Sequence, residues 1–213
     1  MRITSRTRKE GVSKLTKIRD WYEKTFIPLG RILAKTGLSP NQITVLSVLI
    51  GLFQIYFFWK NELLLGFLFF ILAAFMDILD GSLARATNRV SRFGQLLDHF
   101  SDRAVEFELV FGLILGKYMP GWLGALLIFS MIMPSYVRAR GEAVSGISGQ
   151  GVGFFERKEK LGTLIAGIIL EHWFEKSIFY AGIIVSVFSL ITAIQRLIYY
   201  RKKMKNAETA KIS

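Results

Sequence analysis

The stretch Asp77-Ile78-Leu79-Asp80-Gly81-Ser82-Leu83-Ala84-Arg85 decides the reading of this chain, together with Gly94, Asp98 and Asp102 downstream of it. Its aspartates stand in the second half of a long apolar stretch. A carboxylate at membrane depth is costly, so ionisable residues there face the protein interior, a cavity or an ion path. Residues three or four apart share a helix face. Asp77 and Asp80 therefore project together from the end of one apolar helix, and Asp98 and Asp102 from the start of the next. The segment between, Ser82 to Phe93, is polar, basic and short, which makes the two helices antiparallel neighbours with facing carboxylates. Oxygen-only ligands favour hard cations such as Mg2+, with Mn2+ or Ca2+ as substitutes. Four carboxylates suffice for two ions, an arrangement suited to displacement at phosphorus. Salt bridges to Arg85 and Arg103 are the competing explanation, and they account for one aspartate better than for four.

Composition supports the membrane setting. The chain has 213 residues, is 52% hydrophobic and has a mean hydropathy of +0.39. That is too apolar for an ordinary soluble domain of this size, and a single domain is the natural count. The formal charge of +12 is unevenly placed. Ten Lys or Arg fall in the first forty residues; others cluster at Arg85, Arg89 and Arg92, at Arg138, Arg140, Arg157, Lys158 and Lys160, and after Tyr200. The intervening loops on the other side carry only Lys60, Lys117 and Lys176. Cations flanking apolar segments fit an anionic membrane surface rather than nucleic acid. By the positive-inside rule both termini and the aspartates face the cytoplasm of a multi-pass cell-membrane protein. There is no cysteine, which excludes disulfides and thiolate metal sites. The start is basic and then amphipathic, so no cleaved signal peptide is expected.

The expected fold is an all-α integral membrane protein with six transmembrane helices, at Gln42–Trp59, Glu62–Leu83, Phe93–Tyr118, Trp122–Tyr136, Leu161–Trp173 and Ile178–Tyr199. The third fails on hydropathy alone because Asp98, Asp102, Arg103, Glu106 and Glu108 crowd it, but those charges fall where an internal cavity is needed. An interfacial amphipathic helix precedes the spans: Leu15, Ile18, Tyr22, Phe26, Leu29 and Leu33 recur every three or four residues among cations, with Pro28 bending it. Ser39-Pro40-Asn41 reads as a turn and helix start. The expected organisation is a juxtamembrane segment over 1–40, a membrane domain over 41–200 and a basic tail over 201–213.

The aspartate frame resembles the complete motif of the CDP-alcohol phosphotransferase family, with eight specified residues in place from Asp77 to Asp102. Similar organisation extends from about Leu38 to the last apolar segment. The resemblance implies Mg2+ or Mn2+, two ions, at Asp77, Asp80, Asp98 and Asp102, with Asp102 taking the proton from an attacking alcohol. It also implies a CDP-linked lipid donor contacted by Gly81, Ala84, Arg85 and Ser91 and by the turn Pro40, Asn41, Gln42 and Ile43. In line with that, the metals reverse the sign of an acidic site, and Arg85 suits phosphate. A homodimer is implied by the resemblance as well.

For the acceptor, the stretch Ser135-Tyr136-Val137-Arg138-Ala139-Arg140-Gly141-Glu142 and then Glu156-Arg157-Lys158-Glu159-Lys160 resembles the branch that makes phosphatidylinositol phosphate or archaetidylinositol phosphate. That implies a phosphorylated alcohol, inositol 1-phosphate, held by Arg138, Arg157 and Lys160. Gly141, Lys160 and His99 depart from that branch's usual residues. Glycerol 3-phosphate is the second acceptor, and transfer between CDP-inositol and inositol phosphate a third route. The alternative of a different class is a small cation channel or transporter. It explains acidic residues in membrane helices but not Gly81, Ala84, Arg85 and Gly94 at fixed offsets.

Overall fold

A computed structural model describes residues 26–212. Among the described residues there are seven helices: α1 over 26–34, α2 Pro40–Trp59, α3 Leu63–Ala86, α4 Arg92–Leu115, α5 Gly121–Ser145, α6 Arg157–Leu170 and α7 Ser177–Ile212. The fold is all-α, as expected. Four of these helices, α2, α3, α5 and α7 as far as Ala207, are long and apolar enough to cross a membrane. Helix α4 has the length, but its charges take it out of that class. Helix α6 has 14 residues, about 21 Å at 1.5 Å per residue, which is short of a bilayer core. Most of the amphipathic segment before the first span, residues 15–25, lies outside the described residues; 26–34 is helical with Pro28 included. Trp59, Trp122 and Trp173 lie at or just beyond helix ends and are well exposed, the placement of an aromatic belt.

The helices overrun the apolar segments at their charged ends. Helix α3 continues through Ala86, so the segment between the aspartate-bearing helices shrinks to residues 87–91. Helix α5 continues nine residues past Tyr136, to a left-handed cap at Gly146 with φ 66°. Helix α7 continues well past Tyr199. Hydropathy marks where the membrane ends, whereas backbone hydrogen bonding continues into charged residues that are themselves good helix formers.

Three turns use one device. Asn88 N–H donates to the Arg85 carbonyl at 3.4 Å and Arg89 N–H to Ala84 at 2.9 Å, with Asn88 at φ 53°. Asn61 and Lys117 repeat the pattern after α2 and α4. Each is a paired cap that satisfies orphan carbonyls through one left-handed residue. Asparagine tolerates that conformation well, and the turn at 87–91 is tight because of it.

The chain divides into two compact units, one of residues 1–53 and 68–105, the other of 54–67 and 106–213. In the first, α1 meets α3 at Gly30, where a Cβ would stand 2.6 Å from the Ser82 carbonyl carbon and oxygen. Backbone there cannot move aside cheaply. Gly30→Val is expected to destabilise the protein by about 1–3 kcal/mol, an overpacking cost, measured as a lower thermal midpoint in detergent. Helices α2 and α4 are joined by Ser47 and Ser101, both buried, whose hydroxyls lie 2.9 Å apart.

In the second unit α7 packs on both α5 and α6. Two buried cations serve α5 around its internal proline: Lys160 Nζ donates to the Met131 carbonyl at 3.1 Å, and Arg196 Nη1 to that of Pro134 at 2.7 Å. Arg196 Nε also donates to Val152, holding the glycine-rich loop. Gln54 and Glu108, both buried, are hydrogen-bonded at 3.3 Å.

Candidate metal centre and ligand cavity

The last turns of α3 and the first turns of α4 bring three of the four aspartates together. One carboxylate oxygen from each of Asp77, Asp80 and Asp98 lies within 4.8 Å of the others. Asp98 also belongs to a second group of the same span, with His99 and Asp102. Asp80 and Asp102 are buried and Asp77 and Asp98 half-buried, so the carboxylates line an interior rather than decorate a surface. A set of hard oxygens this close in a poorly solvated place fits a divalent ion, and the two groups share one member.

Thr44 of α2 joins the first group. Its Oγ1 is 2.5 Å from Asp80 Oδ2 and 3.1 Å from the Pro40 carbonyl. A hydroxyl has one hydrogen to give, and the shorter, charge-assisted contact takes it. Thr44 thereby fixes one oxygen of Asp80. Thr44→Val keeps the shape and removes the donor; divalent-metal affinity is expected to fall roughly tenfold, the usual scale for an outer partner of a ligand, and Thr44→Ser to restore it. Titration with Mn2+ followed by electron paramagnetic resonance checks this.

A cavity of about 360 Å³ opens beside the aspartates. Asp77, Asp80 and Asp98 stand on its wall, with Pro40, Asn41, Gly81, Ala84, Arg85 and Ser91 among the residues expected to touch a donor nucleotide. Two helix starts contribute to that wall. Helix α2 opens with Pro40 in its first position behind a reciprocal cap: Ser39 N–H donates to Gln42 Oε1 at 2.8 Å, and Gln42 N–H to Ser39 Oγ at 3.3 Å. Helix α4 opens behind Ser91, whose Oγ accepts from Gly94 N–H at 2.9 Å. Helix starts present partial positive charge and suit anionic groups. Arg85 and Arg89 line the same cavity. Space is kept open by glycine: a Cβ at Gly94 would come within 3.0 Å of Ser91 Oγ and 3.2 Å of Asn41 Oδ1.

Two of the expected donor contacts sit differently. The Gln42 side chain is occupied by the cap, and Ile43 is 1% exposed in the core. Neither lines the cavity. Thr44, Arg89, Gln95 and His99 are site residues that the sequence reading did not single out. For Thr44 the signal was there: it lies one helical turn after Pro40.

The three cations expected to hold an acceptor phosphate belong to the second unit, each with a partner of its own. Arg138 Nε lies 3.1 Å from Glu142 Oε1, and Arg157 Nε 2.9 Å from Glu106 Oε1. Glu106 is buried, one turn beyond Asp102 on α4, and Arg157 is exposed. Lys160 is buried on the Met131 carbonyl.

Residues 37–199 match the model of the family described as CDP-alcohol phosphatidyltransferase. The archaetidylinositol phosphate synthase of Pyrococcus horikoshii is 36% identical over 196 residues, covering 90% of this chain and 98% of that protein. The phosphatidylinositol phosphate synthase of Streptomyces avermitilis is 31% identical over 208 residues, covering 90% and 84%. Among solved structures, Mycobacterium tuberculosis phosphatidylinositol phosphate synthase with CDP-DAG bound superposes with a TM-score of 0.75 at 26% identity, over 83% of this chain and 94% of that one. The same enzyme in complex with manganese and citrate gives 0.75 at 27%, over 82% and 88%.

Proposed function

Because the chain belongs to the CDP-alcohol phosphatidyltransferase family, we propose that it transfers a phosphatidyl or archaetidyl group from a CDP-linked lipid to inositol 1-phosphate, releasing CMP. The observation that carries this is the convergence of Asp77, Asp80 and Asp98 on a cavity lined by Pro40, Asn41, Gly81, Ala84, Arg85 and Ser91. Relatives that make inositol-phosphate lipids from both archaea and bacteria support the acceptor. Family membership takes the place of the cation-channel alternative.

The carboxylates of Asp77, Asp80, Asp98 and Asp102 would hold divalent metal, Mg2+ in first place with Mn2+ as substitute, as two ions with Asp98 common to both. When bound, such ions neutralise and polarise the diphosphate oxygens of the donor. Arg85, Arg89 and the starts of α2 and α4 bind the phosphates, and Gly81 and Ala84 leave room for them. Asp102 accepts the proton of the acceptor hydroxyl, whose oxygen attacks the lipid-side phosphorus in line while CMP departs. Positioning and electrostatics suffice for such a transfer, with no covalent enzyme intermediate. Arg138 and Arg157 hold the acceptor phosphate, with Glu106 aiming Arg157. Lys160 supports them by fixing α6 to α5.

In this reading α4, and α6 together with the turn that follows it as far as Trp173, complete six spans. The charges of α4 at Asp102, Glu106 and Glu108 are buried, as a spanning helix requires of them. The cation-rich ends lie in the cytoplasm of a multi-pass cell-membrane protein, the segment before residue 40 lies along the interface, and the working form is a homodimer. Residues 41–200 then form the membrane domain, between a juxtamembrane segment over 1–40 and a basic tail over 201–213.

The test is CMP release by the purified protein with CDP-archaeol or CDP-diacylglycerol and one of inositol 1-phosphate, glycerol 3-phosphate, serine or inositol. Release is expected with inositol 1-phosphate and divalent metal only. Release with glycerol 3-phosphate instead would reassign the acceptor and leave the chemistry standing.

A further inference from the structure

Rather than the four aspartates alone, we infer that His99 is a ligand of the metal shared by Asp98 and Asp102, so that this chain's second ion site contains nitrogen. The inference rests on the metal-dependent reading above. A ring nitrogen of His99 and one carboxylate oxygen from each of Asp98 and Asp102 lie within 4.8 Å of one another. Helix geometry explains the approach, since His99 precedes Asp102 by three residues and the two share a face of α4. The side chain is exposed, and no other described residue takes its ring by hydrogen bond, ion pair or ring contact. It can therefore turn to an ion without breaking anything.

The chemical consequence is selectivity. Mg2+ takes oxygen ligands and gives up water reluctantly. Imidazole suits Fe, Cu, Zn and Ni, and affinities at sites containing nitrogen rise from Mn2+ through Co2+ to Ni2+. The group Asp77, Asp80 and Asp98 offers oxygen only, and Asp98, His99 and Asp102 offer two oxygens and a nitrogen. The two positions therefore differ in kind: one takes hard ions, and the other prefers Mn2+ or Co2+ over Mg2+.

The chain has two histidines, His99 and His172, which makes the question spectroscopically clean. The full chain, with any purification tag removed, is loaded with Mn2+ in lipid nanodiscs, and pulsed electron paramagnetic resonance reads nitrogen-14 coupled directly to the ion. Wild type and His172→Ser should show the imidazole coupling, and His99→Ser should lack it. In a parallel titration His99→Ser should bind Co2+ at least about tenfold more weakly, with Mg2+ affinity little changed; even an outer partner of a ligand is worth that much. Mn2+ binding with identical spectra in wild type and His99→Ser overturns the inference and leaves the metal-dependent reading intact. Failure of the wild type to bind Mn2+ overturns both.

Discussion

Asp102→Asn should slow CMP release by about 10²–10⁴-fold at saturating donor and acceptor, the range for losing a general base. Amide and carboxylate are nearly the same shape, so the fold is expected to survive the change. Asp102 is 8% exposed, and one of its oxygens is grouped with Asp98, so the substitution removes a proton acceptor from an enclosed place. Because Asp102 is also assigned a place among the metal-holding carboxylates, the rate is read with Mg2+ raised until it no longer increases, and the loss that remains falls on kcat. A stopped assay for CMP in wild type and variant measures it. Wild-type turnover in the variant would show that another group takes the proton.

The second large effect is expected at Asp98. It is the one carboxylate common to both groups, and Asp98→Asn weakens both at once. Divalent-metal affinity should fall by more than about 100-fold, beyond the scale seen when only an outer partner of a ligand is lost. CMP release should drop below detection at ordinary Mg2+ concentrations. Asp77→Asn touches one group only and should retain ion binding at Asp98, His99 and Asp102. Counting bound Mn2+ in the two variants separates them. Equal stoichiometry and affinity in both would remove the shared role from Asp98.

Much of this was legible in the residues themselves. The spacing of Asp77, Asp80, Asp98 and Asp102 placed two acidic pairs on facing helices, and three of the four meet on one cavity wall. Ser39-Pro40-Asn41 identified a helix start, which it is. Other features lay outside what periodicity carries. The overruns of α5 and α7 were hidden because hydropathy reports solvent, not hydrogen bonding. Gln42 caps its own helix through its amide oxygen, a use that spacing does not distinguish from a ligand contact, since the same amide can serve either end. Ser91 shows the reverse: it caps α4 and also lines the cavity. The spacing of His99 from Asp98 does not mark it as a ligand, because a residue next to an aspartate does not share its helix face. His99 shares that of Asp102.

The caps on α2 and α4 carry a kinetic implication. Ser39 with Gln42, and Ser91 with Gly94, close their helix starts with the chain's own groups. The cradle's helix starts are therefore already closed by hydrogen bonds of their own, and an arriving nucleotide has no coil to wind up. Association should track diffusion within the bilayer and be insensitive to viscosity-coupled refolding steps, and amide exchange at Gly94, whose N–H is held by Ser91, should already be slowed before any donor is added. Selectivity among donors then rests on how long each one stays rather than on how readily the enzyme rearranges around it.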